Sequence, residues 1–452
     1  MTIEFLEVNR PSDVAVSAAR TCYFPNGIVK PEKSSEWARK DSLLSAIFKA
    51  GHHTTLQHTH VTMLIDGMSR HLIWRLLHTH PYYNSEQVSQ RYAKMKIESF
   101  VKSSKADDSS WNEFYGSIFG DYEKLCTVLE DDVKKVTPKF RQKDVAKKAQ
   151  EMARYILPGG MSAYLYHSAN VITLLRYIAV ATNLSECESE AKEFAKILSE
   201  KLLEIDESLK PLIAHAQKLN VVFDDEQFFA IKEKQHIDSS QLHVKVFDVV
   251  GDASFSENEN HADILRASMM VHDSGVLGGF TTFIKHSLSS DAQNQRHRRS
   301  LAIRPMLKSY YKRDFYTPPI IANNSEALEI YSSAINRSYD FFEAQSQKIG
   351  FNEAIYALPN AHNIELIERN DFSSFHHKAQ MRLCYNAQQE IYDVVYEQVK
   401  QLRTLHVKGS ENFLPPCSIR AAQGIRPICP EGDHFCGIKV WKSDFKEFHR
   451  DI

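Results

Sequence analysis

No stretch of this 452-residue chain approaches about eighteen consecutive apolar residues, so no membrane-spanning helix is expected. Charge of one sign is also missing. A formal net charge of −2 argues against a general nucleic-acid or membrane-surface binder. The opening Met1-Thr2-Ile3-Glu4-Phe5-Leu6-Glu7 has no basic segment followed by an apolar run, so a secretory signal is not expected. Cysteine is sparse. Cys22, Cys126, Cys187 and Cys384 stand singly, which fits a reducing, cytoplasmic compartment better than a disulfide framework. The chain also lacks G-x-S-x-G, C-x-x-C, a Walker loop and G-x-G-x-x-G, and with them the chemistries those motifs serve. Apolar residues at 43% and charged residues at 25% are ordinary for a globular protein, so the length leaves room for about two to three domains with cores of their own.

The most concentrated chemistry lies past the middle, in Gln293-Asn294-Gln295-Arg296-His297-Arg298-Arg299. Guanidiniums offer paired N–H donors that never deprotonate, which suits phosphates and polarised carbonyls; a solvated basic face is the plainer reading. The approach to the cluster favours a site. Residues 280–284 read as a strand, and 287–295 as a polar helix leading into the arginines.

The same succession occurs in the first half. A helix over 41–50 stops at Gly51, and His52-His53-Thr54 leads to a strand over 59–66. Ser69-Arg70-His71-Leu72-Ile73-Trp74-Arg75 then opens a helix that runs into His78-Thr79-His80 and Ser89-Gln90-Arg91-Tyr92. The histidines between 52 and 80 show no HExxH setting and no nearby cysteine, so no metal site is assigned. Helices are predicted over about 112–134, 144–157, 168–181 and 187–205. After a strand at 244–250 come further helices at about 262–271, 325–348 and 373–404, with His272-Asp273-Ser274 in the place of His52-His53-Thr54. Leu157-Pro158 and Leu358-Pro359 correspond, so the chain reads as a divergent tandem duplication.

These residues resemble the flavin-dependent thymidylate synthases. That family's pattern is a Ser-Arg-led helix, a glutamine before Arg-His-Arg, a Ser-x-Arg-Tyr loop, Ala-Arg-x-x-Leu-Pro and Leu-Arg-x4-Ala-Gln-x-Glu-Ile. The first half keeps Ser89-Gln90-Arg91-Tyr92 and Ala153-Arg154-x-x-Leu157-Pro158, but has His78-Thr79-His80 for Arg-His-Arg and Ala181-Thr182 for Leu-Arg. The second half keeps Gln293-x-x-Arg296-His297-Arg298 and Arg382-x4-Ala387-Gln388-x-Glu390-Ile391. It has Arg304-Pro305-Met306-Leu307 for the loop and Ile355 for the Ala-Arg arginine. Each half has lost what the other keeps.

The resemblance implies an α+β fold, a mixed sheet packed with helices in two tandem copies related by a pseudo-twofold. The copies are expected at 1–215 and 216–410, with a cysteine-containing tail at 411–452. It implies reductive methylation of dUMP to dTMP, with FAD as hydride carrier and with NADPH and methylenetetrahydrofolate as co-substrates. A degenerate, non-catalytic FAD- or nucleotide-binding scaffold, or methylation of a different pyrimidine, is the alternative. Arg296, His297 and Arg298 would act at the flavin, with His272, Ser274, Asn370, His52 and Thr54 holding other parts of it. Ser89, Gln90, Arg91, Arg154, Gln293 and Arg382 would bind nucleotide. No nucleic acid or membrane partner is implied, and a homodimer would supply a pseudo-tetramer. The tail around Cys417, Cys429 and Cys436 resembles one carried by many members. With His434 it could suggest a zinc knuckle, but its spacing is irregular and no metal is assigned.

Overall fold

A computed structural model describes residues 1–448 apart from 7, 92, 94, 96–99, 138, 224 and 254–276. The chain forms two compact units. One comprises Met1–Phe119, Pro158–Val222 and Ser338–Leu358; the other comprises Gly120–Leu157, Phe223–Arg337 and Pro359–Ile452. Each unit therefore takes in a segment from the other half of the sequence.

The first unit is built on strands β1 (Thr2–Phe5), β2 (His60–Ser69), β3 (Tyr83–Gln87) and β4 (Ser162–Asn170), in the order β1-β2-β4-β3. Helix α1 (Arg70–Leu76) follows β2, α2 (Val171–Asn183) follows β4, and α3 (Glu188–Ile205) comes next. The strand-to-helix corners are set by capping. Ser69 accepts from Leu72 N at the start of α1, and Asn170 accepts from Thr173 N at the start of α2. Residues 338–358 complete this unit's core, where the Phe341 ring stacks on Phe114 at 4.2 Å.

The second unit repeats the plan. Its strands β5 (Val244–Val250), β6 (Gly279–Ser287), β7 (Leu301–Ile303) and β8 (Asn363–Asp371) run in the order β5-β6-β8-β7. Helix α4 (Leu288–Asn294) follows β6, α5 (Phe372–Arg382) follows β8, and α6 (Gln389–Thr404) comes next. Ser287 and Asp371 take the capping places, accepting from Ser290 N and Ser374 N. Gly279 is required where β6 meets β8, because a Cβ there would lie 2.3 Å from the Asn370 carbonyl. One sheet face packs Phe280, Phe372, Phe375, Tyr392 and Phe413; the other packs Phe228, Ile237, Phe247, Phe283 and Ile367.

The α+β class in two tandem copies is as expected, but every pairing among the described strands is antiparallel rather than mixed. The helix expected over 168–181 begins at Val171, since Ser168 to Asn170 pair with β2. The single helix expected over 373–404 is two, parted by a turn in which Ala387 N donates to Cys384 O. Helix Val145–Ala153 stops short of 157, and Arg154–Ile156 tighten into a 3-10 turn. The helix expected at 262–271 lies outside the described residues. Among those described, no helix is long and apolar enough to cross a membrane.

Candidate functional site

In the second unit, Ser287 anchors two things at once. Its hydroxyl caps α4 while its N–H and hydroxyl donate to the Glu390 carboxylate at 2.7 and 2.5 Å. That fixes the start of α4 against the start of α6, and α4 delivers Gln293 on its last turn. A tight turn follows, with His297 N donating to Asn294 O at 3.0 Å and Ser300 N to His297 O at 3.1 Å. The turn presents Arg296, Arg298 and Arg299 as exposed side chains. Arg299 pairs with Asp371 at 3.1 Å, an exposed contact that contributes little.

Arg382, at the end of α5, closes on this turn. Its Nε donates to His297 Nε2 at 2.9 Å, and its terminal nitrogen donates to the Gln293 carbonyl at 2.9 Å. Because Nε2 accepts, the ring proton of neutral His297 sits on Nδ1. Loss of solvent around the ring, then the cations Arg382 and Lys378, hold His297 well below the ordinary histidine range.

Gln388, in the turn before α6, joins the two halves of the sequence within this unit. Its side-chain oxygen accepts from the Arg154 guanidinium and from the Gln293 amide, and its nitrogen donates to the Tyr155 hydroxyl. Tyr155 donates in turn to Glu390 at 2.8 Å. Burial, reinforced by Glu390, pushes the Tyr155 phenol well above its usual range, so it stays neutral. Asn360 donates to the Arg154 carbonyl at 3.0 Å and pins the 3-10 turn. Gln293 Oε1 is buried without a hydrogen-bond partner among the described residues. Two guanidiniums and a neutral imidazole thus converge beside an unpartnered amide oxygen, a set of donors and one acceptor suited to an anion bearing an imide-like ring.

The first unit keeps the frame and has changed the chemistry. Ser69 donates through its N–H and hydroxyl to Glu190 at 2.7 and 2.6 Å, as Ser287 does to Glu390. Arg75, where the second half has Gln293, is locked to Glu186 at 2.7 and 2.9 Å, with His71 on the same carboxylate at 3.0 Å. Burial opposes ionisation of Glu186, but Arg75 and His71 hold it down to about 2. His78 is bonded to Tyr83 and His80 to Arg176; burial and Arg176 lower His80 to about 4. These histidines are spent on internal contacts.

The structure places Arg154, Gln293, His297 and Arg382 in one cluster of the second unit, with Arg296 and Arg298 on its turn. Asn370 lies fully buried below that turn. His52 and Thr54 are exposed in the first unit, beside and on the 3-10 helix His53–Gln57. Ser89, Gln90 and Arg91 also belong to the first unit, where Ser89 Oγ accepts from Arg91 N at 3.2 Å. Tyr92, His272 and Ser274 lie outside the described residues. Sequence reasoning gave no role to Gln388 or Tyr155, although both stand inside motifs it singled out.

In the tail, Arg141 donates to the Asn386 side chain at 2.9 Å and to the His434 carbonyl at 3.0 Å, tying the turn before Gln388 to residues beyond 430. Cys417, Cys429 and Cys436 are free thiols, and burial pushes Cys384 up to about 12 and Cys417 to about 11. Among the described residues, no group of three or more His, Cys, Asp or Glu is placed to hold a metal ion.

The sequence matches the family described as thymidylate synthase complementing protein over residues 4–206 and again over 256–406. It is similar to flavin-dependent thymidylate synthases from Clostridium tetani (27% identity, 37% of this chain and 68% of that one) and Haloarcula marismortui (22%, 45% and 90%). Among solved structures it resembles a UMP/dUMP methylase from Streptomyces cacaoi bound with 5-Br dUMP (15% identity, 48% of this chain and 93% of that one, TM-score 0.34). It also resembles thymidylate synthase X from Helicobacter pylori with FAD and dUMP (17%, 48% and 100%, TM-score 0.31). Matched twice, over most of its length, the chain belongs to the thymidylate synthase complementing protein family.

Proposed function

We propose that this protein is a flavin-dependent thymidylate synthase that converts dUMP to dTMP at a site pooled from both halves of a tandem duplication, the copies spanning 1–215 and 216–410. The observation that carries this reading is the partly buried cluster in which Arg154 of the first half and Gln293 of the second share the side-chain oxygen of Gln388, with Arg382 on the backbone of Gln293. The residues also fit a flavin. Arg296 and Arg298 present exposed guanidiniums on the turn that follows α4, fixed cations suited to an electron-rich ring.

Arg154 and Arg382 would bind the nucleotide's phosphate and uracil carbonyls through charge-assisted forks, with Gln293 reading the ring edge. Arg296 and Arg298 would hold the electron-rich part of FAD, and neutral His297 would serve as a fixed hydrogen-bonding group rather than a third cation. His52, Thr54, His272 and Ser274 are assigned to the rest of the cofactor, and Ser89, Gln90 and Arg91 to the nucleotide; Asn370, fully buried with its side chain engaged by Ser300 and Glu368, supports the turn instead of touching the cofactor. FAD when bound supplies hydride, methylenetetrahydrofolate the one-carbon unit, and NADPH the reducing equivalents. A homodimer would complete the site, in a cytoplasmic setting. Purified protein should be yellow, should bleach with NADPH and dUMP present, and should yield dTMP by mass spectrometry once methylenetetrahydrofolate is added. A protein that binds nucleotide or flavin without forming product supports instead the non-catalytic scaffold.

A further inference from the structure

The turn over 295–300, which carries the cations, is fastened at both ends to β8. Asn294, the last residue of α4, donates to Glu368 Oε2 at 2.9 Å. Ser300 donates to Asn370 Oδ1 at 2.5 Å, and Asn370 Nδ2 donates to Glu368 Oε1 at 3.1 Å. Lys378 on α5 meets the same carboxylate at 2.5 Å, and Gln398 on α6 donates to it at 3.2 Å. Glu368, Lys378, Asn294, Asn370 and Gln398 are each no more than 2% exposed. Burial alone would raise Glu368; the Lys378 ammonium and these donors hold it down to about 2, so it is ionised.

The first unit builds the same frame with none of this. Met63 pairs with His167 across β2 and β4 where Thr282 pairs with Glu368 across β6 and β8. Tyr177 stands as far beyond the cap Asn170 as Lys378 stands beyond Asp371. Leu76 ends α1 as Asn294 ends α4, and Leu198 follows Glu190 at the interval by which Gln398 follows Glu390. His167 and Tyr177 meet at 3.2 Å, and Leu76, Met63 and Leu198 are fully buried. The fold therefore holds here without the ion pair, and a buried charged pair is a poor way to gain stability. The ion pair lies beneath Arg296-His297-Arg298, the His167–Tyr177 contact beneath His78-Thr79-His80.

We propose that Glu368 and Lys378 are positioning residues, whose buried pair fixes the turn 295–300 and so sets the guanidiniums of Arg296 and Arg298 where a flavin would meet them. The flavin clause rests on the function proposed above; the anchoring of the turn does not. The full chain carrying Glu368→Gln with Lys378→Met, and separately Asn294→Leu, is compared with wild type by amide hydrogen exchange, thermal melting and FAD titration. Both variants should melt within about 5 °C of wild type, because the first unit builds the same frame without the ion pair. Exchange over 295–300 should quicken about tenfold and FAD affinity fall about tenfold, as when a supporting shell is loosened. Unchanged exchange at 295–300 in a folded variant overturns the proposal. So does destabilisation spread evenly over the unit, the signature of a merely structural role. Should wild type bind no flavin, the proposed function fails, and exchange at the turn still decides the positioning. If the paired substitution does not fold, Asn294→Leu, which leaves the ion pair intact, decides between the two outcomes.

Discussion

Gln388 shows how the site is made from single side chains. One amide accepts from Arg154 and Gln293 and donates to Tyr155, so residues distant in sequence are held by one group. Arg154 and Arg382 were legible in the sequence because their motifs survive. The roles of Gln388 and Tyr155 were not, since an amide or a phenol declares nothing until its neighbours are known. Arg154→Ala and Arg382→Ala should each weaken dUMP binding by roughly 2–5 kcal/mol, the loss typical of a buried charged hydrogen bond. Calorimetric titration checks this, and unchanged affinity removes that residue from the site. Glu190 offers a test in the first unit. Burial raises it from 4.5 to about 7 against the hydrogen bonds from Ser69. A carboxyl raised on folding contributes stability that is fully present below the unfolded value and lost as pH rises through the folded one. Between pH 5 and 8 the wild type should therefore lose about 2–3 kcal/mol that Glu190→Gln does not lose. Urea unfolding at the two pH values measures the difference, and parallel curves would deny the shift.

At the scale of elements, the sequence revealed strands and helices with a clean period and missed those defined by pairing. Strand β8 reads Asn363-Ile364-Glu365-Leu366-Ile367-Glu368, full of helix-compatible residues, and is a strand because β6 and β7 flank it. The break between α5 and α6 was hidden by continuous periodicity. Tertiary contacts make it: Arg141 holds Asn386, and the turn aims Gln388 at Arg154. The two corresponding turns after α1 and α4 should differ in function. Arg296→Ala with Arg298→Ala should release FAD, because two exposed cations vanish. His78→Ala with His80→Ala should leave flavin nearly unchanged, since Tyr83 and Arg176 already engage those rings. Absorbance of the retained flavin after desalting reports both, and equal losses would contradict the assignment.

At the scale of the molecule, duplication has not produced two self-contained halves. The first unit needs 338–358, which supplies Phe341 to Phe114 and Glu353 to Ser103 at 2.6 Å. Residues 1–215 expressed alone should therefore lack a cooperative thermal transition, and a sharply melting, soluble fragment would refute that. The complementary survival of motifs was visible in the sequence; the exchange of segments was not, because it rests on which long helix packs where. The central claim is that the halves pool one kind of site, with flavin held only at the Arg296-His297-Arg298 turn. Sites pooled the other way would receive His78-Thr79-His80, Ile355 and Ala181, too few cations for a dianionic phosphate and a reduced flavin. The most direct measurement is flavin bound per chain at saturation, with the mass of the same sample determined in solution. One FAD per chain in a dimer is the expected result; two FAD per chain, or a monomer that turns over, would contradict the account.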